Sequence, residues 1–197
     1  MDNGRRAVFL DRDGTINLDH GYVFRAAEFQ LIPGVVESIR LLREAGYLII
    51  VVTNQAGIAR GLYGEKELHE LHRHLDRELA GFGAAVDAYY YCPHHPEKGV
   101  EPYLRVCACR KPLPGMLVQA AEEYSLDLAA SFLVGDKLSD IQAGLAAGCR
   151  SILVETGYGA DVDELPMDVP RVADLMAAAV LILAATSTPP ESKKEMA

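Results

Sequence analysis

The chain has 197 residues, of which 50% are hydrophobic and 24% are charged, a composition typical of one globular domain that buries its core without disulfide bonds. The formal net charge of −9 argues against nucleic acid and anionic membrane surfaces as partners. It does not exclude a small anionic substrate, because charges beyond about 8 Å are largely screened at physiological salt and local cations then decide binding.

Neither end of the chain predicts targeting. The N-terminal stretch MDNGRRAVFLDRDG has too few apolar residues for a signal peptide. The C-terminal stretch MAAAVLILAA is apolar but about half as long as a membrane-spanning helix. Three of the four cysteines share one short window, which is not typical of a disulfide framework. We therefore expect a cytoplasmic protein with reduced cysteines and no membrane anchor.

Short apolar runs alternate with helical patterns along the chain. Strands are predicted at residues 7–10, 48–52, 86–91, 131–134 and 151–154, and helices at residues 35–45, 68–79, 114–124 and 138–147. This alternation predicts an α/β fold with a doubly wound, mainly parallel sheet, whose active site lies at the carboxyl ends of the strands. A single domain is expected over residues 1–186, followed by a polar, disordered tail at 187–197.

Acidic residues follow two of the predicted strands. Asp11 and Asp13 follow the first strand, and their spacing in an extended backbone points both side chains the same way. Asp136 follows the fourth strand. A turn and a helix cap are the alternative interpretations of these residues. Together the three aspartates form the kind of oxygen ligand set that Mg²⁺ prefers.

Polar and basic residues also stand where the fold would bring them together. Thr53 follows the second strand, Arg110 and Lys111 follow the cysteine-containing segment, and Lys137 follows Asp136. Each cation alone is typical of a solvated surface, but together with three aspartates they favour a phosphate site. A carboxylate nucleophile could then divide phosphate-monoester hydrolysis into the formation and hydrolysis of an aspartyl phosphate.

The segment between the third strand and Arg110 carries a second metal pattern. Its candidate ligands are Cys92, His94, Cys107 and Cys109, a Cys₃His set typical of a closed, structural zinc site. Unrelated buried cysteines are the alternative, and His95 competes with His94 as the imidazole ligand. We hypothesise that this zinc loop, residues 92–109, orients the two cations that follow it. His69, His72 and His74 are interpreted as a solvated helix face.

The motifs DRDGT, Thr53, Lys111 and GDKLSD resemble, in order, the four motifs of the haloacid dehalogenase-like (HAD) phosphatases. The resemblance implies a Rossmann-like fold with Asp11 as nucleophile and Asp13 as general acid and base. It also implies that Mg²⁺ is held by Asp11, by the main-chain carbonyl of Asp13 and by Asp136, while Thr53 and Lys111 stabilise the phosphoryl group. Asp140, in the same motif as Asp136, is expected to support local geometry rather than to bind metal.

Longer blocks resemble one branch of this superfamily, the heptose bisphosphate phosphatases. They are FLDRDGTIN, DHGYV, VVTNQAGIARG, YYCPHHP, CRKPLPGM and VGDK. The resemblance implies removal of the 7-phosphate of a heptose 1,7-bisphosphate in heptose nucleotide synthesis for lipopolysaccharide. It implies no large cap domain, and it places Arg110 at the anomeric end of the sugar. The expected substrate contacts are Asp19, His20, Gly21, Tyr22, Thr53, Asn54, Gln55, Ala56, Arg110, Lys111 and Lys137.

Three alternatives stay open at this point. A histidinol-phosphate phosphatase could share the motifs and the zinc loop. A phospho-acceptor signalling module would also cluster aspartates and a lysine, and a zinc-dependent binding protein would perform no catalysis. We expect a small phosphorylated sugar as the partner and a monomeric state, although the apolar C-terminal helix leaves oligomerisation open.

Overall fold

The computed structural model describes residues 4–187, which form a six-stranded parallel sheet with helices on both faces. The strands are β1 (Ala7–Leu10), β2 (Leu48–Asn54), β3 (Ala88–Cys92), β4 (Phe132–Gly135), β5 (Arg150–Val154) and β6 (Arg171–Val172). The helices are α1 (Val35–Glu44), α2 (Ala56–Ala59), α3 (Glu65–Ala80), α4 (Gly115–Tyr124), α5 (Leu138–Ala147) and α6 (Leu175–Ser187). The predicted doubly wound parallel fold is confirmed.

The strand order is β3-β2-β1-β4-β5-β6. From β1 the chain adds β2 and β3 on one side, and from β4 it adds β5 and β6 on the other side. β1 pairs in parallel with both β2 and β4. The point where such a sheet changes direction leaves a crevice beyond the strand ends, and ligands bind in this crevice. The residues that follow β1 and β4 are therefore the ones that the topology brings together.

The four central strands, β1, β2, β4 and β5, bury side chains on both faces, which is why they read as continuous apolar runs. In β1, Val8 and Leu10 face the core under α1, α3 and α6, whereas Ala7 and Phe9 face the core under α4 and α5. All four side chains are fully buried. The two cores hold the central strands rigidly, and this rigidity fixes the positions of the residues at their carboxyl ends.

The apolar C-terminal stretch forms α6, which packs on the sheet and on α1. Ala178, Ala179 and Ile182 are buried, while Val180 and Leu181 are exposed. Among the described residues, no helix combines the length and hydropathy needed to cross a bilayer. The predicted disordered tail lies outside the described residues, except for Ser187 at the end of α6.

Candidate active site and metal centres

Asp11 and Asp136 meet at the change of direction between β1 and β4. The backbone N–H of Asp11 donates to the carbonyl of Val134 at 2.9 Å, so the carboxyl ends of the two strands are level. Carboxylate oxygens of Asp11, Asp136 and Asp140 lie within 4.8 Å of one another. All three side chains are buried, so the repulsion between them must be offset by a cation or a proton.

Asp136 has a free ligand atom in this cluster. Its Oδ2 accepts a hydrogen bond from the backbone N–H of Tyr158 at 2.9 Å, whereas its buried Oδ1 has no hydrogen-bond partner among the described residues. Burial, reinforced by the charge of Asp11, raises the pKa of Asp136 to about 7. A buried, unpartnered carboxylate oxygen beside a second carboxylate fits Mg²⁺, which takes oxygen ligands and favours their charged form.

Two glycines allow the loops around Asp136 to approach it closely. A Cβ at Gly14 or at Gly157 would lie 2.2 Å from Asp136 Oδ2, and both residues have positive φ angles of 89° and 60°. Thr156 Oγ1 donates to the Gly14 carbonyl at 2.6 Å, which ties these two loops together. The segment after β5, including Tyr158, therefore belongs to the site although its sequence gave no recognisable motif.

Lys111 lies fully inside the cluster of carboxylates. Its Nζ is 2.7 Å from Asp11 Oδ1 and 2.6 Å from Asp140 Oδ1, and it donates to the carbonyl of Val52 at 2.7 Å. Burial opposes the charged ammonium, but Asp11 and Asp140 outweigh it and hold the pKa of Lys111 above its ordinary value. Burial also raises the pKa of Asp11 to about 6, against the opposing effect of Lys111. The cation is thus fixed beside the expected nucleophile.

The carboxylate of Asp13 points away from this cluster. Arg12, whose side chain is fully buried, donates to both of its oxygens at 2.9 and 2.8 Å. Asn17 and Gln55 add further hydrogen bonds. Burial alone would raise the pKa of Asp13, but Arg12 and these hydrogen bonds hold it below its usual value. The side chain is therefore oriented for a role other than metal binding. This agrees with the expectation that Asp13 would hold Mg²⁺ through its main-chain carbonyl.

The carboxyl end of β2, which includes Thr53 and Asn54, and the residues after it are held by side-chain hydrogen bonds. Gln55 Nε2 donates to Thr53 Oγ1 at 2.7 Å, and the hydroxyl of Tyr63 donates to Gln55 Oε1. The Asn54 amide makes two hydrogen bonds with the backbone of Lys111, at 3.0 and 3.1 Å. Asn54 therefore positions Lys111, and Ala56 begins α2.

The expected substrate segment 19–22 lies at the rim. Asp19 Oδ2 is 3.2 Å from Lys137 Nζ, and its Oδ1 accepts from the N–H of Gly21 at 2.9 Å. His20 and Tyr22 are exposed. Asp11, Asp136 and Asp19 all raise the pKa of Lys137 against the effect of burial. This loop and Lys137 thus border the crevice that contains the buried carboxylates.

The zinc loop brings its four candidate ligands together. The Sγ atoms of Cys92 and Cys107 are 3.5 Å apart, those of Cys107 and Cys109 are 3.4 Å apart, and His94 Nδ1 is 3.4 Å from Cys109 Sγ. A tetrahedron with zinc bonds of about 2.0–2.3 Å has edges close to these lengths. His95 lies apart from this cluster, because its Nδ1 accepts hydrogen bonds from the backbone N–H groups of residues 97 and 98. The site fits structural Zn²⁺.

The zinc loop also contacts the cation that follows it. Arg110 Nη1 donates to the carbonyl of His94 at 3.3 Å. Arg105 Nη2 is 2.7 Å from His94 Nε2. His94, a candidate zinc ligand, therefore holds the Arg110 side chain through its main-chain carbonyl.

Comparison with known proteins agrees with this geometry. Residues 108–178 match the HAD-hydrolase-like family. D-glycero-beta-D-manno-heptose-1,7-bisphosphate 7-phosphatase from Yersinia pestis is 51% identical over 152 residues, which cover 77% of this chain and 81% of that protein. The protein of the same name from Escherichia coli strain K12 is 50% identical over 152 residues, which cover 77% and 80% of the two chains.

A solved structure is similar over nearly its whole length. It is D,D-heptose 1,7-bisphosphate phosphatase from B. bronchiseptica complexed with magnesium and phosphate, with a TM-score of 0.82, 39% identity, and coverage of 91% of this chain and 99% of that one. The identity and coverage of these relatives, together with the shared fold, show that the chain belongs to the D-glycero-β-D-manno-heptose-1,7-bisphosphate 7-phosphatase family of HAD-like hydrolases.

Proposed function

We propose that this protein is a Mg²⁺-dependent phosphatase that removes the 7-phosphate of D-glycero-β-D-manno-heptose 1,7-bisphosphate. The observation that carries the proposal is the pair Asp11 and Lys111, buried 2.7 Å apart beside Asp136 at the change of direction in the sheet. The names of the similar proteins supply the substrate, including the β configuration at C1.

In the first half-reaction the Asp11 carboxylate attacks phosphorus and the bond from phosphorus to the C7 oxygen breaks. Lys111 and Thr53 bind the phosphoryl oxygens and offset the repulsion between the carboxylate and the anionic substrate. Asp11, Asp136 and the main-chain carbonyl of Asp13 would hold Mg²⁺, which would supply further neutralisation of charge. The product is an aspartyl phosphate on Asp11.

Asp13 moves the proton in both half-reactions. It donates a proton to the departing C7 oxygen, and it then removes one from the water that attacks the aspartyl phosphate. Arg12, Asn17 and Gln55 hold its carboxylate in one orientation. Because these partners stabilise the charged form, Asp13 is a carboxylate in the free site. It donates to the leaving group only after it has taken up a proton from solvent or from the phosphate of the bound substrate, and the partners then favour release of that proton.

The zinc loop positions Arg110 and Lys111 rather than taking part in the reaction. Its four ligands would fill a tetrahedral shell and leave no open position for a reacting water. The hydrogen bond from Arg110 to the carbonyl of His94 supports this positioning role, as does the direct sequence neighbourhood of Cys109 and Arg110.

The remaining substrate contacts are proposed for two loops and three cations: Asp19, His20, Gly21, Tyr22, Thr53, Asn54, Gln55, Ala56, Arg110, Lys111 and Lys137. We also propose a cytoplasmic location, because three zinc-binding thiolates require cysteines that are kept reduced. We further propose that the protein is a monomer and binds neither nucleic acid nor a membrane.

A phosphate-release panel with Mg²⁺ tests the function. The panel contains the β and α anomers of the heptose bisphosphate and histidinol phosphate. We expect multiple turnovers with the β anomer at the highest kcat/KM, and no turnover by a folded Asp11→Asn variant. A preference for histidinol phosphate would refute the substrate, and a stable phosphoprotein without phosphate release would support a signalling module instead.

A further inference from the structure

Arg60 is a cation beside the site to which no motif assigns a role. It follows α2 directly, and its backbone N–H donates to the carbonyl of Ala56 at 3.1 Å. This bond fixes Arg60 one helical turn from the segment 53–56. Its guanidinium lies 5.6 Å from the centre of the Tyr22 ring, within the range of a cation–π contact. Arg60 therefore links the two segments that we expect to contact substrate.

The zinc loop packs against the same turn. The backbone N–H of Val100 donates to the carbonyl of Ala59 at 2.8 Å. Gly99 allows this approach, because a Cβ there would lie 2.5 Å from the same carbonyl oxygen. The loop that ends at Arg110 is thereby fixed to the residue that precedes Arg60.

Arg60 and Arg110 lie against the same zinc loop. Arg110 Nη1 donates to the carbonyl of His94 at 3.3 Å, and Val100 of this loop is bonded to Ala59, the neighbour of Arg60. Within residues 4–187, neither arginine forms an ion pair with a carboxylate. The chain has 28 acidic and 19 basic residues, so partners for these cations are abundant elsewhere. Two guanidiniums held against one loop, neither of them paired with a carboxylate, form a binding place for an external anion.

We propose that Arg60 is a specificity-determining residue, which binds the phosphate that is not transferred in concert with Arg110. This inference rests on the proposed function and extends it to the C1 end of the bisphosphate. Guanidiniums match the geometry of phosphate oxygens, and the Tyr22 ring holds the Arg60 side chain in place. Arg60 and Arg110 together form what we call the clamp. It selects sugars that carry a second phosphate and leaves the chemistry at C7 unchanged.

The test compares two substrates in an Arg60→Ala variant. One substrate is the heptose 1,7-bisphosphate, and the other is the heptose 7-phosphate, which lacks the phosphate at C1. We expect kcat/KM for the bisphosphate to fall about 10- to 100-fold, the usual loss for a charge-assisted hydrogen bond, through a higher KM. Turnover of the monophosphate is expected to be unchanged. Arg60→Lys keeps the charge and should lose less.

Matched controls separate the clamp from general effects of charge. Arg77→Ala removes an equally exposed arginine from α3 and should leave both substrates unaffected. In the double variant of Arg60 and Arg110, the losses should be non-additive, because both residues bind one phosphate. If the wild type does not prefer the bisphosphate, the proposed function fails and the clamp fails with it. If Arg60→Ala keeps the preference for the bisphosphate, or if kcat/KM falls equally for both substrates, the clamp is refuted and the proposed function stands.

Discussion

At the scale of single residues, Asp140 shows how one carboxylate serves two purposes. Its Oδ2 accepts a hydrogen bond from the N–H of Lys137 at the start of α5, and its Oδ1 contacts Lys111. The sequence indicates only a supporting role, because the partner Lys111 is distant along the chain. The structure places this support directly on the cation beside Asp11.

We therefore predict that Asp140→Asn lowers kcat about 10- to 100-fold. The amide oxygen can still cap α5, but the neutral amide no longer attracts the ammonium of Lys111, which loses one of its two charged partners. Steady-state kinetics and thermal unfolding measure the two effects separately. A variant with normal kcat would show that Asp11 alone suffices to position Lys111.

His72 corrects one interpretation of the sequence. The histidines of α3 were expected on a solvated face, yet His72 is buried and stacks on Tyr89 with ring centres 4.2 Å apart. Within residues 4–187, neither nitrogen of the His72 ring has a hydrogen-bond partner. Burial, with smaller effects of Arg12 and His69, lowers the pKa of His72 to about 3. His72 belongs to the same buried face of α3 as the leucines at positions 68, 71, 75 and 79. The helix therefore turns the His72 ring toward the sheet.

His72 makes stability dependent on pH. Its pKa is lower in the folded state than the value of about 6.5 in the unfolded chain, so the unfolded state binds more protons as the pH falls. The stability contribution of the neutral ring is present above pH 6.5 and is lost toward pH 3, by about 1.4 kcal/mol for each pH unit. We predict that His72→Leu reduces this slope in urea unfolding between pH 7 and pH 5.5. His69→Leu, on the exposed face, is the control, and an unchanged slope in His72→Leu would contradict the prediction.

At the scale of elements, the zinc loop contains no helix or strand between the end of β3 and the start of α4. Cys107 contributes one sulfur atom to a cluster whose other members come from both ends of the loop. Its removal leaves three ligands, which bind zinc more weakly. Loss of zinc should loosen Arg110, whose hydrogen-bond acceptor is the carbonyl of His94.

We predict that Cys107→Ser loses bound zinc and raises KM for the bisphosphate about 10-fold or more, with a smaller effect on a monophosphate. Zinc content is measured by metal analysis and KM by phosphate release. Cys149→Ala is the matched control, since Cys149 is buried outside the cluster and should retain zinc. Unchanged kinetics after zinc removal would refute the positioning role of the loop.

The elements themselves were predictable where their patterns were long. The bounds of α5, Leu138–Ala147, agree with the prediction, and the helix ends where Gly148 takes a positive φ of 84°. In contrast, β6 has two residues and α2 has four, which is too short for periodicity to reveal. Ion pairs such as Lys111–Asp140 depend on strand order, which no local pattern encodes. The motif residues were identifiable, but the contacts of Arg12, Thr156 and Tyr158 were not.

At the scale of the whole molecule, the site exists because the loops after β1, β4 and β5 converge on Asp136. Gly14 and the N–H of Tyr158 both approach Oδ2 of this carboxylate closely. Such close packing leaves no room for a side chain at Gly157, where a Cβ would lie 2.2 Å from Asp136 Oδ2 and 2.7 Å from the Cα of Gly14. Metal binding therefore depends on the sheet order as a whole.

We predict that Gly157→Ala weakens the activation of the enzyme by Mg²⁺, since the added methyl group displaces Asp136 from Asp11. The positive φ adds a backbone cost of about 1 kcal/mol. Gly46→Ala is the matched control, because Gly46 has a φ of 85° and nothing within 4 Å of its Cβ position. It should lose similar stability and keep its Mg²⁺ dependence. Titration of activity with Mg²⁺ compares the two variants, and equal Mg²⁺ requirements would mean that the loop after β5 does not hold Asp136 in place.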